Sequence, residues 1–330
     1  MLSVTYFYRE PRKTGVSIEG IFGLVKNCLK DEAEISEFYC DAKLSRIQNI
    51  IKAGKAANAI NHITGDVNFL AIGLRGKKTI LTIHDFGFYE NPIHSKFVKL
   101  VYRLFWFYFP LKYVDIVTVV SEFTKQKLIH YFNFPEDKIR VIHDPVKPLF
   151  KVVKKDKLND RPVILMMGTG KHKNLDNLIE AVKGADLHVD IIGWPAEDEL
   201  ARLKEYNILY TVYNDLSDED VYKRYIACDI LFMASFYEGF GMPIIEAQSM
   251  GRPVITGNIG AMKEVGEGSA ILVDPYSVSE IKDAISLLIS DKKLYDDMVG
   301  KGYENAAKYN YKKIAAQYLE VYKELDVKNK

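Results

Sequence analysis

The sequence predicts an α/β protein built as two doubly wound parallel-sheet domains. Three features carry that expectation: apolar runs of four to six residues rich in Val and Ile, segments of helical period between them, and a proline- and lysine-rich break near the middle. Runs this short, apolar without alternation, suit strands that helices cover on both faces. A chain of 330 residues is also long enough for two cores.

In chain order the strand-like runs occupy residues 3–8, 79–82, 116–120, 163–167, 189–192, 230–233, 254–256 and 270–273. Helical spacing of apolar positions marks 174–183, 218–228, 243–250 and 277–290 between them. The break is PVKPLFKVVKKDKLNDRP at 145–162, which combines three prolines and a lysine cluster with no sustained period. It divides the chain into domains expected at 1–150 and 151–305. The tail from 303 to 325 reads as one long helix with Ala306, Ile314, Ala315, Tyr318, Leu319 and Tyr322 apolar, so residues 306–330 are expected to pack across both domains.

Composition narrows the function classes. At 48% apolar and 27% charged the chain is neither disordered nor a mini-protein scaffold. A formal charge of +1 provides no global field for nucleic acid, which is not an expected partner. The halves differ: residues 1–150 carry 21 Lys/Arg against 15 Asp/Glu, and residues 151–330 carry 24 against 29. A basic first domain suits an anionic surface. Cys28, Cys40 and Cys228 are too scattered for a disulfide framework or a zinc site, as in a reduced cytoplasmic protein. The opening MLSVTYFYRE has no signal-peptide core, and no stretch reaches the roughly 18 apolar residues of a membrane span.

SFYEGFGMPIIEA at 235–247 is the most informative motif. It follows a strand, turns on glycines and enters a helix with Pro243 at its first position, where a missing N–H costs nothing. Free amides and the positive helix end then face the sheet's carboxyl edge, ready for a phosphate-bearing ligand. Gly239 and Gly241 allow close backbone approach. Glu238 and Glu246 flank the same crevice, and two carboxylates there suit sugar and ribose hydroxyls. A second glycine turn, GTGKHKNL at 168–175, places amides and Lys173 after another strand. It lacks the third glycine of a dinucleotide fingerprint, where Lys173 stands, and the leading glycine of a P-loop, where Leu165 stands.

These residues resemble a family 4 glycosyltransferase. The likeness runs through EGFGMPIIEAQSMGRPVITGNIGAMKEVGEGSAILVDP at 238–275, and further through VVSEFTKQKL at 119–128, KIRVIHDPV at 138–146, GTGKHKNLDNLIEAV at 168–182 and LSDEDVYKRYIACD at 216–229. It implies the GT-B fold, two Rossmann-like domains facing a central cleft, and transfer of a sugar from a nucleoside-diphosphate sugar with retention of anomeric configuration. It assigns Glu238 to the transferred sugar, Glu246 to the ribose, and the amides of Gly239, Phe240, Gly241 and Met242 to sugar hydroxyls and diphosphate. Gly168, Thr169 and Lys173 fall beside the diphosphate, with Thr169 where the family often carries arginine. His84, in LTIHDFGF, resembles the first-domain histidine that faces the donor sugar; the same position also suits a cap or a buried structural histidine. His62, in NHITGD, is expected similarly just after a strand and reads as structural. Gly15 stands where the family usually has a double glycine near the sugar phosphate, and an ordinary turn explains it equally well.

No cluster has metal-ligand spacing, so neither a metal nor another cofactor is expected. The D-x-D at 218–220 reads as a helix start capped by Ser217. The implied acceptor is a glycan or lipid-linked saccharide, in cell-surface polysaccharide synthesis. Residues 94–112, HSKFVKLVYRLFWFYFPLK, suit peripheral contact with the inner face of the membrane through Lys96, Lys99, Arg103, Lys112, Trp106 and Tyr108. Packing of those aromatics in the core is the competing account. Two other functions fit the fold: a sugar-nucleotide epimerase, and a non-catalytic glycosyltransferase-like subunit, which the Thr169 and Gly15 departures favour.

Overall fold

The computed structural model describes residues 1–10, 17–155 and 157–327, so Gly15 lies outside the described residues. The chain forms two compact units, Met1–Pro145 with Tyr311–Lys330, and Val146–Asn310.

The first unit holds β1 (Leu2–Tyr8), β2 (Ala33–Tyr39), β3 (Ile60–Ile63), β4 (Thr79–Ile83), β5 (Ile116–Val119) and β6 (Ile139–Val141). They pair in parallel in the order β2-β1-β3-β4-β5-β6. Winding reverses between β1 and β3, and in open sheets of this kind ligands bind beyond the carboxyl ends at such a reversal. β3 carries the polar sequence INHI, yet all four residues are buried. His62 Nδ1 bonds the Tyr322 hydroxyl at 2.9 Å and Nε2 bonds Thr82 Oγ1 at 2.8 Å, while Tyr6 and Thr118 extend the chain at 2.8 and 2.7 Å. Burial, with His84 nearby, pushes the His62 pKa down to about 3. A neutral, doubly bonded imidazole is a structural group.

Tyr318 and Tyr322 come from the helix Tyr311–Val327, which packs on the helix Ser17–Cys28 and on β1 and β3. The expected single tail helix is therefore two. One spans Lys292–Ala306 in the second unit and ends with Ala306; a tight turn and the extended Asn310 separate it from Tyr311–Val327 in the first.

The second unit holds β7 (Val163–Met167), β8 (His188–Ile192), β9 (Leu209–Tyr213), β10 (Ile230–Met233), β11 (Val254–Gly257) and β12 (Ile271–Val273). Their order is β12-β11-β10-β7-β8-β9, all parallel, with the reversal between β7 and β10. Ile164, Leu178, Ile191 and Ile230 are fully buried in its core. The compact units divide at 145/146, and the proline- and lysine-rich segment is strapped to the second. Val146 N–H donates to Tyr309 O at 2.9 Å, Phe150 packs edge-on against Tyr225, and Lys155 pairs with the buried Asp229 at 2.7 Å.

Candidate active site

The second unit's reversal point is built by two loops that lock to each other. Gly168 ends β7 with φ +84, a conformation L side chains avoid, and its N–H donates to Ile192 O at 2.7 Å. A Cβ there would lie 3.1 Å from Lys173 Cε, so glycine lets the lysine stem cross the turn. Asn174 closes the loop in the left-handed region and is fully buried; its Nδ2 donates to Ala234 O at 2.8 Å and Pro275 O at 2.7 Å. Phe236 N–H donates to His172 O at 2.7 Å from the loop after β10. Together these bonds tie the ends of β7 and β10 across the crevice. Asn174 was not singled out from sequence, although asparagine is the ordinary non-glycine choice for that backbone conformation.

Lys173 Nζ and Glu238 Oε1 then meet at 2.6 Å, with side chains 20% and 14% exposed. The two groups read separately as a phosphate cation and a sugar carboxylate are partners here. Thr169 turns the other way, its Oγ1 accepting from Trp194 N–H at 2.8 Å, which ties this loop to the turn after β8.

Gly241 precedes the helix Met242–Ser249 with φ +106, and Pro243 falls one position later than the sequence suggested. The helix turns its N-terminus to this reversal point, with no N–H on Pro243 and Ile244 N–H donating to Gly241 O at 2.9 Å. Phe240 is buried, with its ring edge-on to Tyr309. Met242 is half-buried. Glu246, on the same helix, is only 7% exposed and accepts from the Tyr225 hydroxyl at 3.0 Å through Oε2. Burial pushes its pKa up to about 7; Lys147 and Tyr225 act against that and Asp218 adds to it. Tyr225 was legible in the sequence only as one apolar position of a helix.

In the first unit His84 follows β4, and its Nε2 lies 2.8 Å from Thr64 O. A carbonyl only accepts, so Nε2 is the donor in this contact. Gly65, at φ +133, makes room, since a Cβ there would sit 2.6 Å from the ring. Nearby, Arg9 pairs with Glu19 at 2.8 Å and Asp66 at 3.1 Å, beyond the ends of β1 and β3. Asp144 is buried and pushed up by it, while His84 and His143 pull it down.

Ser217 caps the helix Asp218–Ala227 by accepting from Asp220 N–H at 3.2 Å. Both D-x-D carboxylates hold lysines, Asp218 with Lys147 at 2.8 Å and Asp220 with Lys223 at 2.9 Å. Among the described residues no His, Cys, Asp and Glu side chains group as a metal site.

Segment 94–112 contains the helix Lys96–Tyr102, a wide i→i+5 turn Arg103–Tyr108, and the helix Phe109–Tyr113. Arg103 points inward, donating to the Tyr89 hydroxyl at 2.8 Å and Tyr131 O at 2.9 Å. Trp106 stacks on Tyr102. Ile93, Phe97, Leu100, Phe105 and Tyr108 are exposed. Among the described residues no helix is long and apolar enough to cross a membrane.

Residues 150–305 match the family Glycosyl transferases group 1, and residues 42–148 match Glycosyltransferase Family 4. O-antigen chain mannosyltransferase B of Escherichia coli is 26% identical over 76% of this chain and 71% of its own. Serotype-specific mannosyltransferase WbdA, also from Escherichia coli, is 22% identical over 62% of this chain, which spans 28% of that protein. Among solved structures, Anabaena HepE in complex with UDP and glucose superposes with a TM-score of 0.81 at 15% identity, over 98% of this chain and 100% of the other. Sucrose-phosphate synthase of Thermosynechococcus elongatus superposes at 0.78 with 18% identity, over 98% and 99%. With two six-stranded parallel sheets and family matches over 42–148 and 150–305, the chain belongs to the family 4-like glycosyltransferases of the GT-B fold.

Proposed function

We propose that the chain transfers a sugar from a nucleoside-diphosphate sugar to a glycan or lipid-linked saccharide in polysaccharide synthesis, with retention of configuration and without a metal. The observation that carries this reading is the placement of Lys173, Glu238 and the amide-bearing helix start together at the reversal point of one sheet. The names of the mannosyltransferase relatives support polysaccharide synthesis, and the UDP bound in HepE supports a nucleotide-sugar donor.

In this reading Lys173 and the amides of residues 239–242, with the turn at Gly168 and Thr169, receive the diphosphate. Charge on the departing nucleotide is then met by fixed donors, which lowers the barrier electrostatically. Glu238 accepts from a sugar hydroxyl, Glu246 from the ribose, and His84 binds a sugar hydroxyl from the first unit. The protein should melt higher with one of UDP, GDP, ADP or CMP and keep that shift in excess chelator. Ligand at 100 times its Kd adds about 2.7 kcal/mol. Lys173→Ala should abolish most of the shift. No response to any nucleotide would reject the donor site in favour of a non-catalytic subunit, and loss in chelator would reject metal independence.

Peripheral contact with an anionic membrane is part of the same proposal. Lys96, Lys99 and Lys112 accompany the exposed Phe97, Leu100, Phe105 and Tyr108, and each such lysine contributes about 1 kcal/mol at an anionic surface. Charge reversal at the three lysines, leaving the inward Arg103 intact, should abolish sedimentation with phosphatidylglycerol vesicles. Unchanged sedimentation would sink the contact.

A further inference from the structure

We infer that Tyr225 is a positioning residue for nucleotide binding: its phenol commits Glu246 Oε2 and leaves Oε1 to receive the ribose diol. This rests on the donor reading above. The phenol cannot swing away, because Tyr225 is fully buried with its ring edge-on to Phe150 at 5.5 Å. Its carbonyl is held as well, accepting from Arg252 Nε at 2.9 Å. Glu246 Oε1 accepts no hydrogen bond from the described residues.

The chemistry depends on charge. A carboxylate accepts from both hydroxyls of a diol, whereas a carboxylic acid spends one oxygen as a donor. Burial favours the acid, and the groups facing Glu246 decide the balance: Tyr225 and Asp218 from the helix Asp218–Ala227, and Lys147 from the segment before β7. Tyr225 is itself pushed well above the ordinary tyrosine range by burial and by Glu246, so it stays a donor. Glu246 is pushed up to about 7, which means its carboxylate is lost as pH falls through that value. Nucleotide affinity should therefore rise with pH across neutrality.

The test is the affinity of UDP, or of GDP where the thermal panel selects it, from pH 5.5 to 9, for wild type and Tyr225→Phe. Removing a hydrogen bond to a charged group should move the midpoint up by about one pH unit and weaken binding at pH 7 by about fivefold. By pH 9 the two proteins should agree within about threefold. The matching 2′,3′-dideoxy nucleotide lacks the diol and should neither show the pH step nor distinguish the variants. An unmoved midpoint, or an equal loss for the dideoxy nucleotide, overturns the inference while leaving the donor site in place. If wild type binds none of UDP, GDP, ADP and CMP, the donor reading falls and takes the inference with it.

Discussion

Glu238→Gln is expected to bind the bare nucleoside diphosphate about fivefold more tightly than wild type while transferring sugar at least about 100-fold more slowly. The affinity gain follows from the 2.6 Å pair with Lys173. In the free protein the ammonium is already neutralised, and an incoming diphosphate must displace the carboxylate and tolerate it nearby. A part-exposed pair is worth up to about 1 kcal/mol, which corresponds to the fivefold estimate. An amide keeps the shape and removes both competitor and like charge. The rate loss follows because glutamine cannot supply a charged acceptor to the sugar hydroxyl. Calorimetric titration with the diphosphate and initial rates with the donor sugar read the two effects separately. Weaker diphosphate binding by the glutamine variant would show that the pair does not compete with ligand.

The largest stability effect should come from Arg252. Arg252 is 1% exposed, and its guanidinium donates to the carbonyls of Tyr225, Ile226, Met250, Gly251 and Val153 at 2.9 to 3.2 Å. Four of those carbonyls finish the helices Asp218–Ala227 and Met242–Ser249, where acceptors lack helical partners and the dipole is negative. The fifth anchors the segment before β7. Arg252→Met leaves buried acceptors unmet and should cost about 3–5 kcal/mol. For a unit of this size that lowers the melting temperature by about 10 °C. Arg252→Lys should recover at most about half, since three donors on one nitrogen cannot reproduce a planar fork. A calorimetric melt checks both, and an unchanged transition for Arg252→Met would contradict the clamp. Both clamped helices carry residues of the proposed nucleotide site, Tyr225 on one and Glu246 on the other, so nucleotide affinity should weaken along with the melt.

Much of this protein is written in local pattern. β7, β10 and β11 are continuous apolar runs because helices cover both faces, and the turn–helix at 239–249 is legible because glycine and proline have few other reasons to stand there. β2 and β9 escaped that rule as edge strands: β2 alternates buried and exposed residues, and β9 has no fully buried residue. β3 was only half legible, as a strand ending before His62; the structure places His62 inside it, because its buried polar residues are satisfied by partners as distant as Tyr322.

What sequence alone determined is the fold class, the two-part division and the motifs lying beyond strand ends, because each depends on burial and turn geometry within a few residues. Tertiary structure decided that Lys173 faces Glu238, that Arg103 points inward, that Arg252 collects the ends of two helices, and that the tail breaks at Asn310. Those outcomes depend on which strand ends the parallel crossovers bring together. A pairing across 65 residues is set by strand order, which no local period encodes.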